Sequence, residues 1–154
     1  GLGDVYKRQA IFDYKYVTGS GKNSHTWRQS VICFEVQDCT FPTFSLRPEK
    51  VWHKLGSAFG AQDIDFEDYP TFSSHYLLRG DDEGAIRRLF TPQVLEFYAT
   101  VKGACAEGSS HRLLFYRQSH KVKPELIQAF LEEGAGVLSL FCPSAPVSMS
   151  LLRY

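Results

Sequence analysis

The sequence lacks three features that would assign it to a common class: an excess of charge of one sign, a membrane-length apolar run and a paired cysteine motif. Lys plus Arg and Asp plus Glu each number 17, so the formal net charge is zero. Domains built to bind nucleic acid are usually basic, so we expect no nucleic-acid partner. The most continuous apolar segment, Gly134 to Cys142, is far shorter than the roughly 20 residues that cross a bilayer.

The cysteines are few and follow no recognisable spacing. There is no CxxC pair and no Cys/His pattern typical of a zinc site among Cys33, Cys39, Cys105 and Cys142. A small disulfide-stabilised scaffold would show a denser framework. We therefore predict reduced thiols in a cytosol-like compartment.

Motifs that carry catalysis are also missing. The five histidines are scattered, and neither a GxSxG elbow nor an HExxH helix occurs. Gly21 and Lys22 resemble part of a P-loop, but the first glycine position of that motif falls on Tyr16. A strand-like segment also follows where a P-loop needs a helix N-terminus. The sequence predicts no catalytic residue, no metal and no cofactor.

What the sequence has is clear periodicity in a chain that is 44% hydrophobic, which indicates a globular fold. Ala10–Val17 alternates with period two, as a half-buried strand does. A glycine-rich turn at Thr18–Ser24 and a second strand at Trp27–Val36 follow, which favours an antiparallel hairpin. Phe41–Leu46 predicts a third, short strand, and Pro42 restricts it to a sheet edge or a strand start.

The second half of the chain predicts further strands and most of the helices. Strands are expected at Tyr76–Arg79, around Cys105 and at Arg112–Arg117, the last of them central because both of its faces are apolar. Helices are expected at Lys50–Phe59, after a cap at Asp81 or Asp82, after a cap at Thr91 with Pro92 in the first turn, and from Pro124 to Phe141. These elements predict an α+β domain, with an antiparallel sheet of about five or six strands covered by three or four helices.

Carboxylates are concentrated in one short stretch, Asp63–Asp68. In an extended segment Asp63, Asp65 and Glu67 share one face. The glycine and ligand order of an EF-hand loop is absent, so we favour a solvated acidic edge, or one paired with arginines, over a cation site. The candidate binding residues are Arg47, Asp63, Asp65, Glu67 and Arg79.

Several short motifs resemble an uncharacterised bacterial family, known as a domain of unknown function. The motifs are FSLRPE at Phe44–Glu49, Gly60 with DIDF at Asp63–Phe66, Phe72 with Ser73, YLLRG at Tyr76–Gly80, Asp82 with Glu83, AIR at Ala85–Arg87 and LFTP at Leu89–Pro92. The resemblance spans about Ala10–Phe141. It implies that hydrophobic, membrane-spanning segments precede the domain, and it brings no established activity or functional residues.

The chain therefore divides into three predicted parts. Gly1–Gln9 resembles a translated sequencing linker, residues 10–141 form a single domain, and residues 142–154 form a disordered tail. The favoured hypothesis is a non-enzymatic interaction or structural domain with a protein partner, on the cytoplasmic side and tethered to a membrane through upstream segments. The alternative is a small-ligand or metal-dependent enzyme or binding site, in which the Asp63–Asp68 carboxylates converge with Arg47 or Arg79 on a concave pocket.

Overall fold

The computed structural model describes residues 7–50 and 63–144, which form one antiparallel sheet of six strands and four α-helices. The strands are β1 (Lys7–Thr18), β2 (His25–Val36), β3 (Phe41–Pro48), β4 (Tyr76–Gly80), β5 (Ala104–Ser110) and β6 (Arg112–Arg117). The helices are α1 (Pro70–His75), α2 (Glu83–Leu89), α3 (Pro92–Thr100) and α4 (Ile127–Phe141). The spatial strand order is β1-β2-β6-β5-β3-β4. The predicted α+β class is confirmed.

The hairpin of β1 and β2 forms as the alternating pattern predicts. Its register runs from Thr18 opposite His25 to Lys7 opposite Val36. Gly19 and Gly21 have φ angles of 79° and 58°, in the left-handed region that glycine adopts without a Cβ clash. The glycine-rich segment is therefore a hairpin turn. The backbone of residues 7–9 belongs to β1, although these residues resemble linker sequence.

The helices cover one face of the sheet and bury the main core against it. Side chains that point to this face include Ile32 and Phe34 of β2, Leu46 of β3, Leu78 of β4 and Leu113 and Phe115 of β6, all fully buried. Aromatic rings from the helices complete the layer: the Phe90 ring lies 5.3 Å from that of Phe141 and 6.1 Å from that of Phe72, centre to centre. No helix of the described residues covers the opposite face.

The helix starts follow the predicted capping chemistry. A carboxylate oxygen of Asp82 accepts a hydrogen bond from the backbone N–H of Ala85 at 3.0 Å. The hydroxyl of Thr91 accepts one from the N–H of Val94 at 3.4 Å, with Pro92 in the first turn of α3. Each cap satisfies a backbone donor that the helix itself leaves unpaired. The carboxylate at Asp82 thus has a structural role.

The strand expected around Cys105 is present and is longer than the turn-like composition of Gly103–Ser110 suggested. Ala104–Ser110 forms β5 between β3 and β6. A Cβ placed on Gly108 would lie 2.3 Å from an atom of the Phe44 ring. The glycine is therefore required by close packing of a neighbouring side chain and does not end the strand.

The strand β3 lies between β5 and β4 and so is not an edge strand. Pro42 is at the strand start, the other position expected for it, where the pairing with β5 shifts register. No helix was predicted for Pro70–His75, yet these residues form α1, with Pro70 in its first turn. The last helix was expected from Pro124, but α4 begins at Ile127, and Leu126 before it is 52% exposed. The predicted helix Lys50–Phe59 lies, from Val51 onward, outside the described residues.

Cys39 and Cys142 form a disulfide, so the prediction that all four cysteines are reduced is wrong. The two residues are 103 positions apart in sequence, and only the fold brings their Cα atoms to 6.3 Å. The bond joins the β2–β3 connection to the end of α4. Cys142 is buried in the core, so ordered structure continues past Phe141 to Ser144. Residues 145–154 of the predicted tail lie outside the described part.

The disulfide generates the first prediction. Reduction should lower the free energy of unfolding by about 2–4 kcal/mol, because the cross-link restricts the unfolded chain over a long loop. Denaturant unfolding with and without reductant measures the difference. The double variant Cys39→Ala with Cys142→Ala should abolish the effect of reductant, whereas Cys33→Ala should retain it. Labelling of four thiols in denatured, unreduced protein would contradict the bond.

Two glycines of α4 generate a matched second prediction. A Cβ on Gly134 would lie 2.6 Å from Cδ1 of Ile32 and 3.3 Å from Cζ of Phe34, whereas one on Gly136 meets nothing within 4 Å. Gly136→Ala should stabilise the protein by about 0.5–1 kcal/mol through helix propensity. Gly134→Ala should destabilise it by about 1–2 kcal/mol through overpacking. Chemical denaturation tests both, and equal effects would refute the packing explanation.

Candidate functional site

The face of the sheet that points away from the helices forms a concave surface, which we call the open face. Strand register places Val31 of β2 opposite Tyr116 of β6, and Tyr116 opposite Cys105 of β5. These three side chains form a small buried cluster of their own, separate from the main core, with Leu114 packed against it. The open face therefore has an apolar floor.

Aromatic residues of β1 form a wall beside this floor. Phe12, Tyr14 and Tyr16 alternate along the strand and line a cavity of about 560 Å³ together with Tyr116. The Tyr16 ring stacks on Trp27 with a centre-to-centre distance of 6.1 Å, and its hydroxyl accepts a hydrogen bond from the Gln118 amide at 2.5 Å. Trp27 and Gln118 thus fix the position of the Tyr16 side chain in the wall.

A charged network crosses the floor opposite the aromatic wall. Arg47 of β3 is only 9% exposed, and its Nη2 lies 3.5 Å from a carboxylate oxygen of Glu107 on β5. The other carboxylate oxygen of Glu107 accepts a hydrogen bond from the Tyr116 hydroxyl at 2.7 Å. Because β3 and β5 are neighbours in the sheet, Arg47 meets Glu107 and Tyr116, which both lie far from it in sequence. We call Arg47, Glu107 and Tyr116 the floor network.

The electrostatics of the floor favour a fixed positive charge and disfavour proton transfer. Burial acts to lower the pKa of Arg47, but the nearby Tyr116 and Glu107 outweigh it and raise that pKa. Burial raises the pKa of Tyr116 well above its ordinary value, and Glu107 adds to this shift. Burial also raises the pKa of the Cys105 thiol to about 12. The guanidinium therefore stays charged, and the thiol and phenol stay protonated near neutral pH.

A larger cavity continues the open face beyond the floor network. It has a volume of about 1020 Å³ and shares Phe12, Glu107 and Leu114 with the smaller one. Arg79 of β4 lines this second cavity, on the far side of Glu107 from the aromatic wall. Two of the predicted arginines thus lie on the open face, but they line different cavities.

The predicted carboxylates lie elsewhere. The backbone of Asp63 forms an isolated bridge with Arg79 at the outer edge of β4, and its carboxylate accepts a hydrogen bond from the Leu78 N–H at 3.0 Å. Asp65 and Glu67 line a third cavity, of about 500 Å³, next to α2. The acidic stretch and Arg47 therefore do not converge on one pocket.

Besides Arg79, which forms the bridge with Asp63, Arg87 contacts the acidic stretch. Its guanidinium lies 5.1 Å from the centre of the Phe66 ring and donates to the backbone oxygen of Asp65 at 2.9 Å. It also pairs with Glu83 at 2.9 Å, one helical turn away. Among the described residues no group of three or more His, Cys, Asp or Glu side chains is arranged to hold a metal ion. These contacts give the stretch a structural role at the sheet edge.

Glu107 was not predicted as a site residue, although it lies two residues after Cys105, around which a strand was expected. A signal was present in the alternation of Ala104, Ala106 and Gly108 with Cys105 and Glu107. Strict alternation of small residues with larger ones indicates a strand that is closely packed on one face. That pattern would have placed Glu107 and Cys105 together on the opposite face.

The raised pKa of Asp63, in the acidic stretch, makes the stability of the fold depend on pH. This pKa is raised to about 6, mainly by burial and in part by the neighbouring Asp65, while the Leu78 N–H and Arg79 oppose the shift. The ordinary pKa of aspartate in an unfolded chain is about 3.9. Between these values the folded state binds more protons than the unfolded state, so the contribution of Asp63 to stability decreases as the pH rises.

Asp63→Asn should remove this pH dependence. The amide cannot ionise, but its oxygen can still accept the hydrogen bond from the Leu78 N–H. Between about pH 4 and pH 6 the wild type should lose on the order of 1 kcal/mol relative to the variant, a figure reduced for solvent screening of a partly exposed group. Denaturant unfolding across this interval measures it. Glu96→Gln, on the exposed side of α3, is the control, and identical profiles for wild type and Asp63→Asn would contradict the assignment.

Comparisons with known proteins leave the site to be interpreted from its own geometry. No family model matches the chain, and no curated protein and no solved structure is significantly similar to it. The resemblance to an uncharacterised bacterial family stays a prediction. In residues 7–50 and 63–144 no helix has the length and apolar character needed to span a membrane.

Proposed function

We propose that this domain is a non-catalytic binding module that holds a planar, partly apolar organic anion, such as an aromatic carboxylate, on the open face. The observation that carries the proposal is the buried Arg47 guanidinium at the floor of an aromatic-walled cavity. The apolar body of the ligand packs against Tyr14 and Tyr16, and its anionic group binds Arg47.

The size and lining of the cavity support a small molecule. Ligand sites usually have volumes of about 300–1,000 Å³, with mostly apolar walls and a few polar groups that fix orientation. The smaller cavity, of about 560 Å³, lies within this range and combines four aromatic rings with a single arginine and a single carboxylate. Tyrosine and phenylalanine rings offer large, rigid contact areas to a flat ligand.

The floor network supports an anionic group on the ligand. The distance of 3.5 Å between Arg47 and Glu107 is longer than a charge-assisted hydrogen bond, which is typically about 2.7–2.9 Å. Glu107 is held more closely by the Tyr116 hydroxyl, at 2.7 Å. In the proposed complex the carboxylate of the ligand binds the Arg47 guanidinium, and Glu107 keeps its hydrogen bond to Tyr116. The planar guanidinium suits a bidentate carboxylate contact.

The protonation states support binding over catalysis. A general acid or base works best when its pKa is near the operating pH. Burial holds the pKa of Cys105 at about 12 and that of Tyr116 well above its ordinary value, so neither group exchanges protons readily near neutrality. The membrane tether that the resemblance implies, and the protein partner of the favoured sequence hypothesis, are compatible with a ligand-binding role.

Binding of anilinonaphthalene sulfonate, an aromatic anion that fluoresces in apolar sites, tests the proposal. The folded wild type should bind it saturably with a stoichiometry of one. Arg47→Gln should weaken binding about tenfold or more, since the loss of a buried charge partner typically costs at least 1.4 kcal/mol. Titration of the fluorescence gives both affinities. Tyr14→Ser should weaken binding by a smaller factor.

Arg87→Gln is the matched control for the charge change, because Arg87 contacts Phe66 and Glu83 on the other side of the molecule. It should leave the affinity unchanged. Circular dichroism and thermal unfolding of each variant exclude binding by a partly unfolded state. Saturable binding that survives Arg47→Gln without loss, or a wild type that does not bind while folded, would refute the proposed function.

A further inference from the structure

The strand β1 has an unusual outer edge. It is 12 residues long and lies at one end of the sheet, and in the described part of the chain no strand pairs with its outer side. Phe12, Tyr14 and Val17 of this strand are 42%, 49% and 56% exposed, and they are three of the four exposed large hydrophobic residues described. A long edge with exposed apolar side chains is a ready template for another strand.

The edge strand at the other end of the sheet, β4, is short and is partly covered by a neighbouring segment. The edge strand β4 has only five residues. The segment after the undescribed region runs along it, with the Ile64 N–H donating to the Leu78 carbonyl at 2.8 Å. By contrast, β1 contains no proline, glycine or bulge that would blunt its edge. The two edges of one sheet therefore differ in length and in protection.

We propose that β1 pairs with β1 of a second copy of this chain, antiparallel and centred on Tyr14. The two six-stranded sheets then form one continuous sheet across a two-fold axis. The proposal goes beyond the function proposed above and does not depend on it, although Tyr14 takes part in both.

The sequence of β1 selects this register. In an antiparallel pair, directly opposite residues point to the same face of the sheet. A two-fold axis perpendicular to the sheet must therefore lie between the two copies of one residue, which are then directly opposite each other. With the axis at Tyr14, Asp13 lies opposite Lys15 of the partner subunit, and Lys15 lies opposite Asp13 of the partner subunit. An axis at Asp13 or at Lys15 would place like charges opposite each other. Axes at other positions of the strand do not pair these two charges.

The remaining side chains of β1 fit the same register. Phe12 lies opposite Tyr16 of the partner subunit on the open face, and Ile11 lies opposite Val17 of the partner subunit on the other face. Cross-strand aromatic, aliphatic and opposite-charge pairs all stabilise antiparallel sheets. Val17, which is 56% exposed in the single chain, gains an apolar neighbour. Every directly opposed pair from Ile11 to Val17 is therefore compatible.

The proposed pairing of Asp13 with Lys15 of the partner subunit is compatible with the contacts that Asp13 makes in the single chain. Asp13 accepts a hydrogen bond from the Ser30 hydroxyl at 2.9 Å and lies 3.3 Å from Nζ of Lys121. Its side chain is nevertheless more than half exposed, and Lys15 is also exposed. A lysine from a second copy can approach the free side of the carboxylate without displacing these contacts.

Charge exchange across the pair tests the proposal. Sedimentation equilibrium from micromolar to near-millimolar protein should show a wild-type monomer–dimer equilibrium. Lysine opposite lysine in Asp13→Lys, and aspartate opposite aspartate in Lys15→Asp, should each raise the dimer dissociation constant about tenfold or more. Mixing the two variants should restore association, because the introduced lysine then faces the introduced aspartate while native Asp13 faces native Lys15.

Lys22→Asp, which makes the same charge change in the hairpin turn, should dimerise as the wild type does. A second measurement fixes the axis: Tyr14→Cys, in a Cys33→Ser background, should form a disulfide-linked dimer on mild oxidation, whereas Lys22→Cys in that background should not. A wild type that stays monomeric at all concentrations would overturn the proposal. So would single variants that dimerise as the wild type does, or a mixture in which association is not restored.

Discussion

The position of β5 between β3 and β6 is the constraint on which both faces of this protein depend. On the helical side its small residues Ala104, Ala106 and Gly108 let larger neighbours approach closely, and the Phe44 ring lies directly against Gly108. On the open face the same strand carries Glu107 between Arg47 and Tyr116. A shift of one residue in the register of β5 would exchange these two sets of side chains. Core packing and the floor network are therefore specified together.

The floor network places charged side chains in the middle of a sheet, where their burial is energetically unfavourable. A buried ion pair rarely stabilises a fold more than well-packed apolar residues of similar volume, because both charges lose their hydration. Arg47 is 9% exposed, and its partner Glu107 is satisfied in turn by Tyr116. The adjacent Val31 and Cys105 show that the same floor accepts apolar side chains. A structural role alone therefore gives no reason for charges at this position, whereas recognition of a charged ligand does.

The sequence predicted those parts of the molecule whose signals are local. The alternation in β1 and β2 predicted the hairpin, and the Asp82 and Thr91 caps marked the starts of α2 and α3. The disulfide, by contrast, depends on two cysteines that only the complete fold brings together. The candidate site shows the same difference between features with local sequence signals and contacts that only the fold creates. Arg47 was identified as a candidate, but its predicted acidic partners instead contact Arg87 and the edge of β4, because charge complementarity in sequence does not determine which residues become neighbours in a sheet.

The two edges of the sheet differ in length and in exposure, and this difference bears on assembly. Within the described residues one edge is five residues long and is followed closely by the Asp63–Ile64 segment, while the other is 12 residues long and exposes aromatic rings. The odd-numbered residues of β1, which are Ile11, Asp13, Lys15 and Val17, point to the other face. There Ile11 packs against the main core, and Asp13 contacts Ser30 and Lys121. These contacts and a ligand on the open face do not require Lys15 and Val17, whereas the proposed pairing with a second copy of the strand places them opposite Asp13 and Ile11.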